Sequence, residues 1–516
     1  MAYRIGIDVG GTNTDAVVLD DQLRPIAKIK TPTTEDVTTG IDRAMAEVLS
    51  QITIKRSEIK YAMLGTTHAT NAIVERKRLN QVAAIRIGLP ATSAIKPLTG
   101  WPQDLKQAIG NMQFLVHGGF EFDGREIAPL DEEALRSIAR EVKGKTNSVA
   151  ITSVFAPVSN AHELRAAEIM REELGDIPIS LSHEIGSIGL LERENATVLN
   201  AALVDVAKIT AQSFVDALKR EGVSANVYFG QNDGTLMSVD YAIRYPILTV
   251  ACGPTNSIRG ASYLAKNQNA LVVDVGGTTT DVGVLVNGFP RESSIAVEIG
   301  GVRTNFRMPD LISIGLGGGS LVRFTDKGAT VGPDSVGYQI TQKARVFGGD
   351  ILTATDVVTA LGKANIGDPQ KVQDLDQEQL NSAYEKIMTM TEDVIDKMKT
   401  SADPIPVIFV GGGSVILPDE LQGASHILRP EHYEVANAIG SAIAQVSGQI
   451  ERVFSIDELG REGAIALAKE MAIQEATKAG ADPKTIEIVE IDDVPLAYLP
   501  GNATKIRVKA AGNLML

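Results

Sequence analysis

Two copies of one short pattern carry most of the chemistry legible in this sequence. IGIDVGGTNTDAVVL occupies residues 5–19 and LVVDVGGTTTDVGVL residues 271–285, so Asp8 recurs as Asp274 and Asp15 as Asp281. In each copy an apolar run reaches an aspartate, two glycines follow, and a second apolar run begins. Gly10 and Gly11 in one copy, and Gly276 and Gly277 in the other, permit positive φ and let a ligand approach bare backbone. Successive N–H groups in such a turn make a nest for anionic oxygens. Thr12, Asn13, Thr278, Thr279 and Thr280 add hydroxyl or amide donors. Asp8 and Asp274 stand at strand ends and aim carboxylates at the same place. A carboxylate repels a phosphate unless a cation lies between them, and Mg²⁺, which keeps several of its waters, is the natural mediator. One such loop is only a glycine-rich hairpin turn. Two with the same spacing point to one shared polyphosphate. No GxxxxGK[ST] occurs, and each turn runs into a strand instead of a helix, which excludes a P-loop and a dinucleotide fingerprint.

Other segments are candidates for the same site. In MLGTTHATNAIVE (63–75) an apolar strand end meets a glycine and a helix begins near Ala69, so Thr66, Thr67 and Asn71 are candidate phosphate or substrate contacts at a helix N-terminus. GLGGGS (315–320), with Gly317 and Gly318, and GGGS (411–414), with Gly411, Gly412 and Gly413, are further glycine clusters. The second follows the buried-strand pattern PVIFV, and a base or ribose can lie flat on such a turn. His117, Glu121, Asp123, His162 and Glu163 are polar enough to line a site, although each alone reads as structural. Cys252, the lone cysteine, has no nearby His and reads as a small structural residue. The six histidines lack zinc-ligand spacing.

The elements that must position these residues are α/β. Residues 3–9 and 270–275 read as strands opening two hairpins, with third strands at 25–31 and 289–299. DEEALRSIAREV is an amphipathic helix with an acidic first turn, and the segments after it alternate strand and helix. Two small-residue-rich helices, 194–214 and 434–450, are expected to pair and link two lobes. The tail, 486–512, alternates apolar and polar residues around a PGN turn and is expected to form a small β unit. The chain of 516 residues exceeds one ordinary core. The expected division is 1–193, with an inserted subdomain near 80–145, then 194–455, then 456–516. A net charge of −15 weighs against nucleic acid and anionic membranes, so a polyanion such as ATP needs local neutralisation. No run of 18 apolar residues occurs and the N-terminus enters a strand at once, so neither a membrane span nor a signal peptide is expected. With the lone cysteine, this predicts a cytoplasmic protein.

The pattern resembles the hydantoinase A/5-oxoprolinase family, within the actin, Hsp70 and sugar-kinase superfamily, over nearly the full chain. GIDVGGTNTDAVV and DVGGTTTDVGV are similar to that family's two phosphate loops. GTTHATNAIVER, SNAHELRAAEIMREE, ISLSHEIG, ERENATVLNA, GPTNSIRGASYLA, ISIGLGGGS and PLAYLPGNATKIRV are similar to further family blocks. The resemblance implies two RNase H-like lobes around a nucleotide cleft, ATP with Mg²⁺ as cofactors, Asp8 and Asp274 directed at the metal and its waters, and phosphate contacts from residues 10–13 and 277–280. It implies ATP-driven hydrolysis of a cyclic amide such as a hydantoin, oxoproline or lactam through a phosphorylated amide, with Asp15 or Asp281 orienting the water or the acceptor oxygen. An oligomer and a second hydrolase subunit are expected partners. Longer members carry a Cys-Tyr pair where this chain has GPDSVGYQ, with Ser335 and no cysteine, and the chain lacks the large second region many of them need. An ATPase subunit driving a partner hydrolase or carboxylase, and a small-molecule kinase, are the alternatives.

Overall fold

The computed structural model describes residues 2–33, 37–293, 296–326, 328–497 and 501–515. The chain opens with β1 (Tyr3–Val9), β2 (Asn13–Leu19), β3 (Pro25–Pro32), α1 (Val37–Ser50), β4 (Ile59–Thr66) and α2 (His68–Glu75). β5 (Val82–Leu89), α3 (Gln103–Ala108), β6 (Met112–His117), α4 (Glu132–Val142), β7 (Ser148–Ser153), α5 (Ala161–Leu174) and β8 (Ile179–Leu181) follow. Then come α6 (Leu190–Arg220), β9 (Asn226–Gly230), β10 (Leu236–Ser238), α7 (Val239–Arg244), α8 (Cys252–Ala265), β11 (Ala270–Val275) and β12 (Thr280–Val286).

Two sheets repeat one topology. In the first, β3-β2-β1 are antiparallel, and β4 and then β9 add in parallel on the far side of β1. In the second, β12 and β11 are antiparallel, and Ile405–Val410 and then Ala424–Leu428 add in parallel beyond β11. β12 also pairs with Phe289–Pro290 and with Leu311–Ile314. This is the RNase H-like arrangement twice over, and the fold is that of the actin, Hsp70 and sugar-kinase group. Central strands are covered on both faces, which is why β1 reads as a near-continuous apolar run from Ile5 to Val9. The third strand expected over 289–299 is shorter than that: Phe289–Pro290 pairs, Val297–Ile299 belongs to a separate hairpin, and residues 294–295 lie outside the described residues.

The inserted unit is larger than 80–145. Its four parallel strands, in the order β6-β5-β7-β8, run from Val82 to Leu181, because β7 and β8 complete the sheet that β5 begins. α4 and α5 cover one face, and α6 runs along the rest of the unit. Arg86 of β5 forms a fully buried bidentate pair with Glu194 of α6, with both contacts at 2.6 Å. α6 is longer than the expected 194–214. Its length and composition would suffice to cross a bilayer, but 61% of its apolar window is buried inside the protein.

The two later expectations need correction. Residues 434–450 are not one helix: Ala436–Ile443 is helical, and from Val446 the chain is a strand reaching Phe454. The run AIGSAIAQVSGQI satisfies either period, and the edges of β10 and Thr504–Gly512 claim its second half by backbone pairing. The helix Ala436–Ile443 crosses α8, not residues 194–214. A Cβ on Gly260 would lie 1.9 Å from the Ala436 carbonyl oxygen, and one on Gly440 1.8 Å from that of Asn256, so only glycine permits the crossing. Nor is the tail a separate unit. Glu487–Pro495 and Thr504–Gly512 extend the first sheet to nine strands, burying Ile506, Val508 and Ala510 completely. That sheet thus draws strands from either side of the expected boundary at 193, which falls inside α6. Pro500 of the PGN turn lies outside the described residues.

Candidate active site

The two hairpins meet across one cleft of about 440 Å³. Register places Asp8 directly opposite Asp15 in the first and Asp274 opposite Asp281 in the second. All four carboxylates line the cleft, with Gly10, Gly11, Thr12, Asn13, Gly276, Gly277, Thr278 and Thr279 between them. The loops touch through Thr12 Oγ1 and Thr278 Oγ1, 3.3 Å apart. Gly411, Gly412 and Gly413 line the adjoining wall, and Gly411 has φ +83°, with a Cβ there falling 2.2 Å from Asp274 Oδ1. Ile340, Phe347, Ile366 and Val415 give the cleft an apolar end suited to a flat base.

The electrostatics are strongly shaped by burial. Desolvation pushes the Asp8 carboxyl up to about 6, opposed by hydrogen bonds from Asn256 and Asn437 and reinforced by the charges of Asp15 and Asp274. Asn256 Nδ2 donates to Asp8 Oδ1 at 3.2 Å, and Asn437 Nδ2 donates to Asp8 Oδ2 at 2.9 Å and to Asp15 Oδ2 at 2.7 Å. Asp15 is raised by burial but countered by Lys30, whose Nζ lies 2.6 Å from Oδ1 and 2.7 Å from Oδ2. Burial also raises Asp274, with a Ser257 hydrogen bond and Lys30 opposing. Asp281 is pushed up to about 6 by burial, against a hydrogen bond from Ser313, and the neighbouring Asp274 adds to the rise.

Four carboxylates, Asp8 and Asp15 buried and Asp274 and Asp281 half-buried, against one lysine leave the cleft short of positive charge. Hard oxygen donors suit Mg²⁺. No group of three or more His, Cys, Asp or Glu converges among the described residues, so a cation between Asp8 and Asp274 would retain most of its water. The donor set fits that ion, with phosphate oxygens completing it.

The structure redistributes several expected roles. Thr67 lines the cleft, whereas Thr66 turns its hydroxyl to His68, and its N–H donates to Cys252 Sγ at 3.3 Å. Thr66 therefore caps and packs instead of facing a ligand, and Asn71 only supports Thr67. Gly318 lines the cleft, but Gly317 lies behind the second loop, where a Cβ would sit 2.6 Å from Thr278 N. It lets the GLGGGS segment buttress that loop, Gly318 and Gly319 N–H donating to the carbonyls of Gly276 and Gly277. Cys252 is fully buried with its thiol pushed up to about 12 by desolvation, in keeping with a structural role. His117, Glu121, Asp123, His162 and Glu163 are not in the cleft: His162 accepts from the Gly119 N–H, and Glu163 is buried against His183. Lys30, Asn256, Ser257 and Asn437 are cleft-forming side chains that the motif reading passed over. Lys30 had a signal, since β3 pairs Lys30 with Asp15 once the hairpin register is drawn.

Residues 4–174 match the hydantoinase/oxoprolinase N-terminal region and residues 193–404 match hydantoinase/oxoprolinase. An uncharacterized protein of Methanocaldococcus jannaschii is 26% identical, over 96% of this chain and 80% of that one. The acetophenone carboxylase gamma subunit of Aromatoleum aromaticum is 30% identical, over 70% of this chain and 53% of its own length. The caprolactamase subunit alpha of Pseudomonas jessenii is 28% identical, over 70% of this chain and 54% of its own length. The crystal structure of the ATP-dependent caprolactamase from that organism superposes with a TM-score of 0.79 at 20% identity, covering 99% of this chain and 88% of that one. The chain thus spans about half the length of the two named enzyme subunits.

Proposed function

This chain belongs to the hydantoinase/oxoprolinase family, and from that premise we propose that it uses ATP to open a cyclic amide of the hydantoin, 5-oxoproline or lactam type. The observation that carries the reading is the convergence of the two DVGGT hairpins, with all four aspartates, on one cleft that has an apolar end. Family relatives named as caprolactamase and 5-oxoprolinase support the substrate class. An unstrained amide resists water because resonance deactivates its carbonyl. Phosphoryl transfer to the amide oxygen converts it into a group that water can attack, and such transfer needs in-line positioning and charge neutralisation more than covalent help.

The residues divide this work. Backbone N–H groups of residues 11–13 and 277–279 receive phosphate oxygens, those of Gly10 and Gly276 being donated to the carbonyls of Asn13 and Thr279. Asp8 and Asp274 would hold Mg²⁺ through its waters, and the ion would supply neutralisation of the polyphosphate. Lys30 reaches from the first sheet to Gly412 of the second, so it can meet phosphate charge while holding Asp15 ionised. Asp281, with no cation beside it, is the carboxylate placed to take and return a proton near neutral pH. Measuring ADP release with hydantoin, 5-oxoproline and caprolactam tests the reading. Stimulation by one of them is expected, and none, with or without a co-purifying subunit, would refute it.

A second reading has its own observation. The curated relatives of about twice this length are named as subunits of a carboxylase and a caprolactamase. On that reading the chain is the ATP-using half and turns over only with a partner subunit. A stable phosphorylated product, seen by ³¹P NMR, would instead indicate a kinase.

A further inference from the structure

A second cavity is larger than the nucleotide cleft. A chamber of about 580 Å³ opens on another side of the first sheet and shares no lining residue with the cleft. Its walls come from the loop after β8, the β9–β10 loop, α7, the strand Val446–Phe454 and the helix Ile456–Lys478. The segments ISLSHEIG and the end of the nine-stranded sheet, to which the nucleotide reading gives no task, therefore meet here.

Its most telling residue is Arg452, a partly buried guanidinium that makes no hydrogen bond and no ion pair among the described residues. The carboxylates whose field reaches it, Glu475 and Glu184, are engaged elsewhere. Glu475 pairs with Lys478 at 2.7 Å and accepts from Tyr241 Oη at 3.2 Å, while Glu184 pairs with Arg244 at 2.6 Å. Arg307, a second guanidinium on the wall, bonds Glu292 through Nη1 but leaves buried Nε and Nη2 without partners. An unpaired guanidinium at the wall of a half-open chamber calls for an anion, most effectively a planar, bidentate one, whereas the orphaned nitrogens of Arg307 are buried away from the chamber. In the same lining, Tyr241 and Tyr245 pack with ring centroids 4.7 Å apart at a tilt of 56°, and Leu248 and Phe306 add apolar surface. His183 completes the wall. Its Nδ1 lies 2.6 Å from the buried Glu163 carboxylate, which fixes the ring, and Nε2 has no protein partner. That leaves one directed polar group near the aromatic pair, on a wall that also carries Glu184, Asp233, Asp240, Glu451, Glu475 and Lys478.

We propose that this chamber is a second ligand site, taking a small organic carboxylate whose carboxyl group docks on Arg452, whose apolar body lies on Tyr241 and Tyr245, and whose far polar group reaches His183. The choice of probes rests on the reading above, because opening a cyclic amide leaves a carboxylate. Hexanoate, 6-aminohexanoate, glutamate and N-carbamoylglycine are titrated calorimetrically into the full chain without nucleotide, and again with saturating ADP. At least one is expected to bind with a Kd at or below about 1 mM, unaffected by ADP, and to weaken at least tenfold in Arg452→Met while ADP affinity stays unchanged. Met471→Trp, which fills the chamber from its helical wall, is expected to abolish binding and serves if Arg452→Met does not fold. Binding of none of the four, loss of binding on adding ADP, or full affinity in both variants overturns the site. Failure of cyclic amides to stimulate ADP release would refute the proposed reaction and leave these binding results standing, so the two failures are separable.

Discussion

The two hairpins share topology, register and motif, yet they carry their charge differently. In the first, Asp8 and Asp15 are knitted together by Asn437, and Lys30 lies against both oxygens of Asp15. In the second, Asp274 and Asp281 take hydrogen bonds from Ser257 and Ser313, and among the described residues no cation pairs with either, although the field of Lys30 reaches Asp274. The first hairpin is thus neutralised from within, and the second depends on what binds. The two copies share the cradle but not its surroundings: Lys30 favours the charged form of Asp15 in the first, no such cation meets Asp281 among the described residues of the second, and burial raises Asp8 and Asp281 alike to about 6.

The largest expected effect tests the internal neutralisation. Lys30→Met leaves Asp15 buried without its cation and should cost about 3 kcal/mol in denaturant unfolding, with Asp15→Asn in the same chain restoring most of it. If the single variant is as stable as wild type, the asymmetry is not energetic. Next is Asp281→Asn. The folded Asp281 value of about 6 lies above its ordinary 3.8. The folded state therefore keeps a proton that the unfolded chain releases, and wild type loses stability as pH rises between about 4 and 6. The variant lacks this loss and should be more stable than wild type by about 2 kcal/mol above about pH 6, with the gap closing near pH 4, in thermal melts without ligand. Burial raises Asp15 too but Lys30 opposes the rise, so Asp15→Asn alone should gain less than Asp281→Asn, and an equal gain at both positions would erase the distinction.

Turnover gives the third contrast. Asp8→Asn and Asp274→Asn should each lower Mg-dependent ADP release at least about tenfold, or roughly 1.4 kcal/mol, as expected for removing a charge opposite the cation. Full activity in either variant would remove that residue from the cation site. The smallest effect is at the point where the loops touch. Thr12→Val removes one part-buried hydrogen bond to Thr278 and should cost about 0.5 kcal/mol, with a modest rise in KM for ATP.

What could be read from the sequence was local or repeated. The hairpins were legible because glycine requirements and apolar runs fall within fifteen residues, and because the second copy confirmed the first. The pairing of Lys30 with Asp15 needed the register of a third strand. Asn256 and Asn437 were hidden for a different reason: they sit on α8 and on Ala436–Ile443, and only the tertiary crossing of those helices brings both amides to Asp8. The strand at 446–454 was misread because small and apolar residues fit either period until a neighbouring edge selects one. Thr66 and Gly317 were placed in the right neighbourhood but one residue behind the surface, a distinction that motif spacing does not carry.

Asn437 has a geometric consequence. Its amide nitrogen carries two hydrogens, and both are committed, one to Asp8 and one to Asp15. The other oxygen of Asp8 already accepts from Asn256. Each oxygen keeps a second lone pair for a proton or a water, but the carboxylate cannot rotate without breaking the bonds to both amides. Both amides are carried by helices clamped at Gly260 and Gly440 with no room for slippage. Rotation of this carboxylate is therefore tied to the helix crossing, which holds it at one angle towards the cleft.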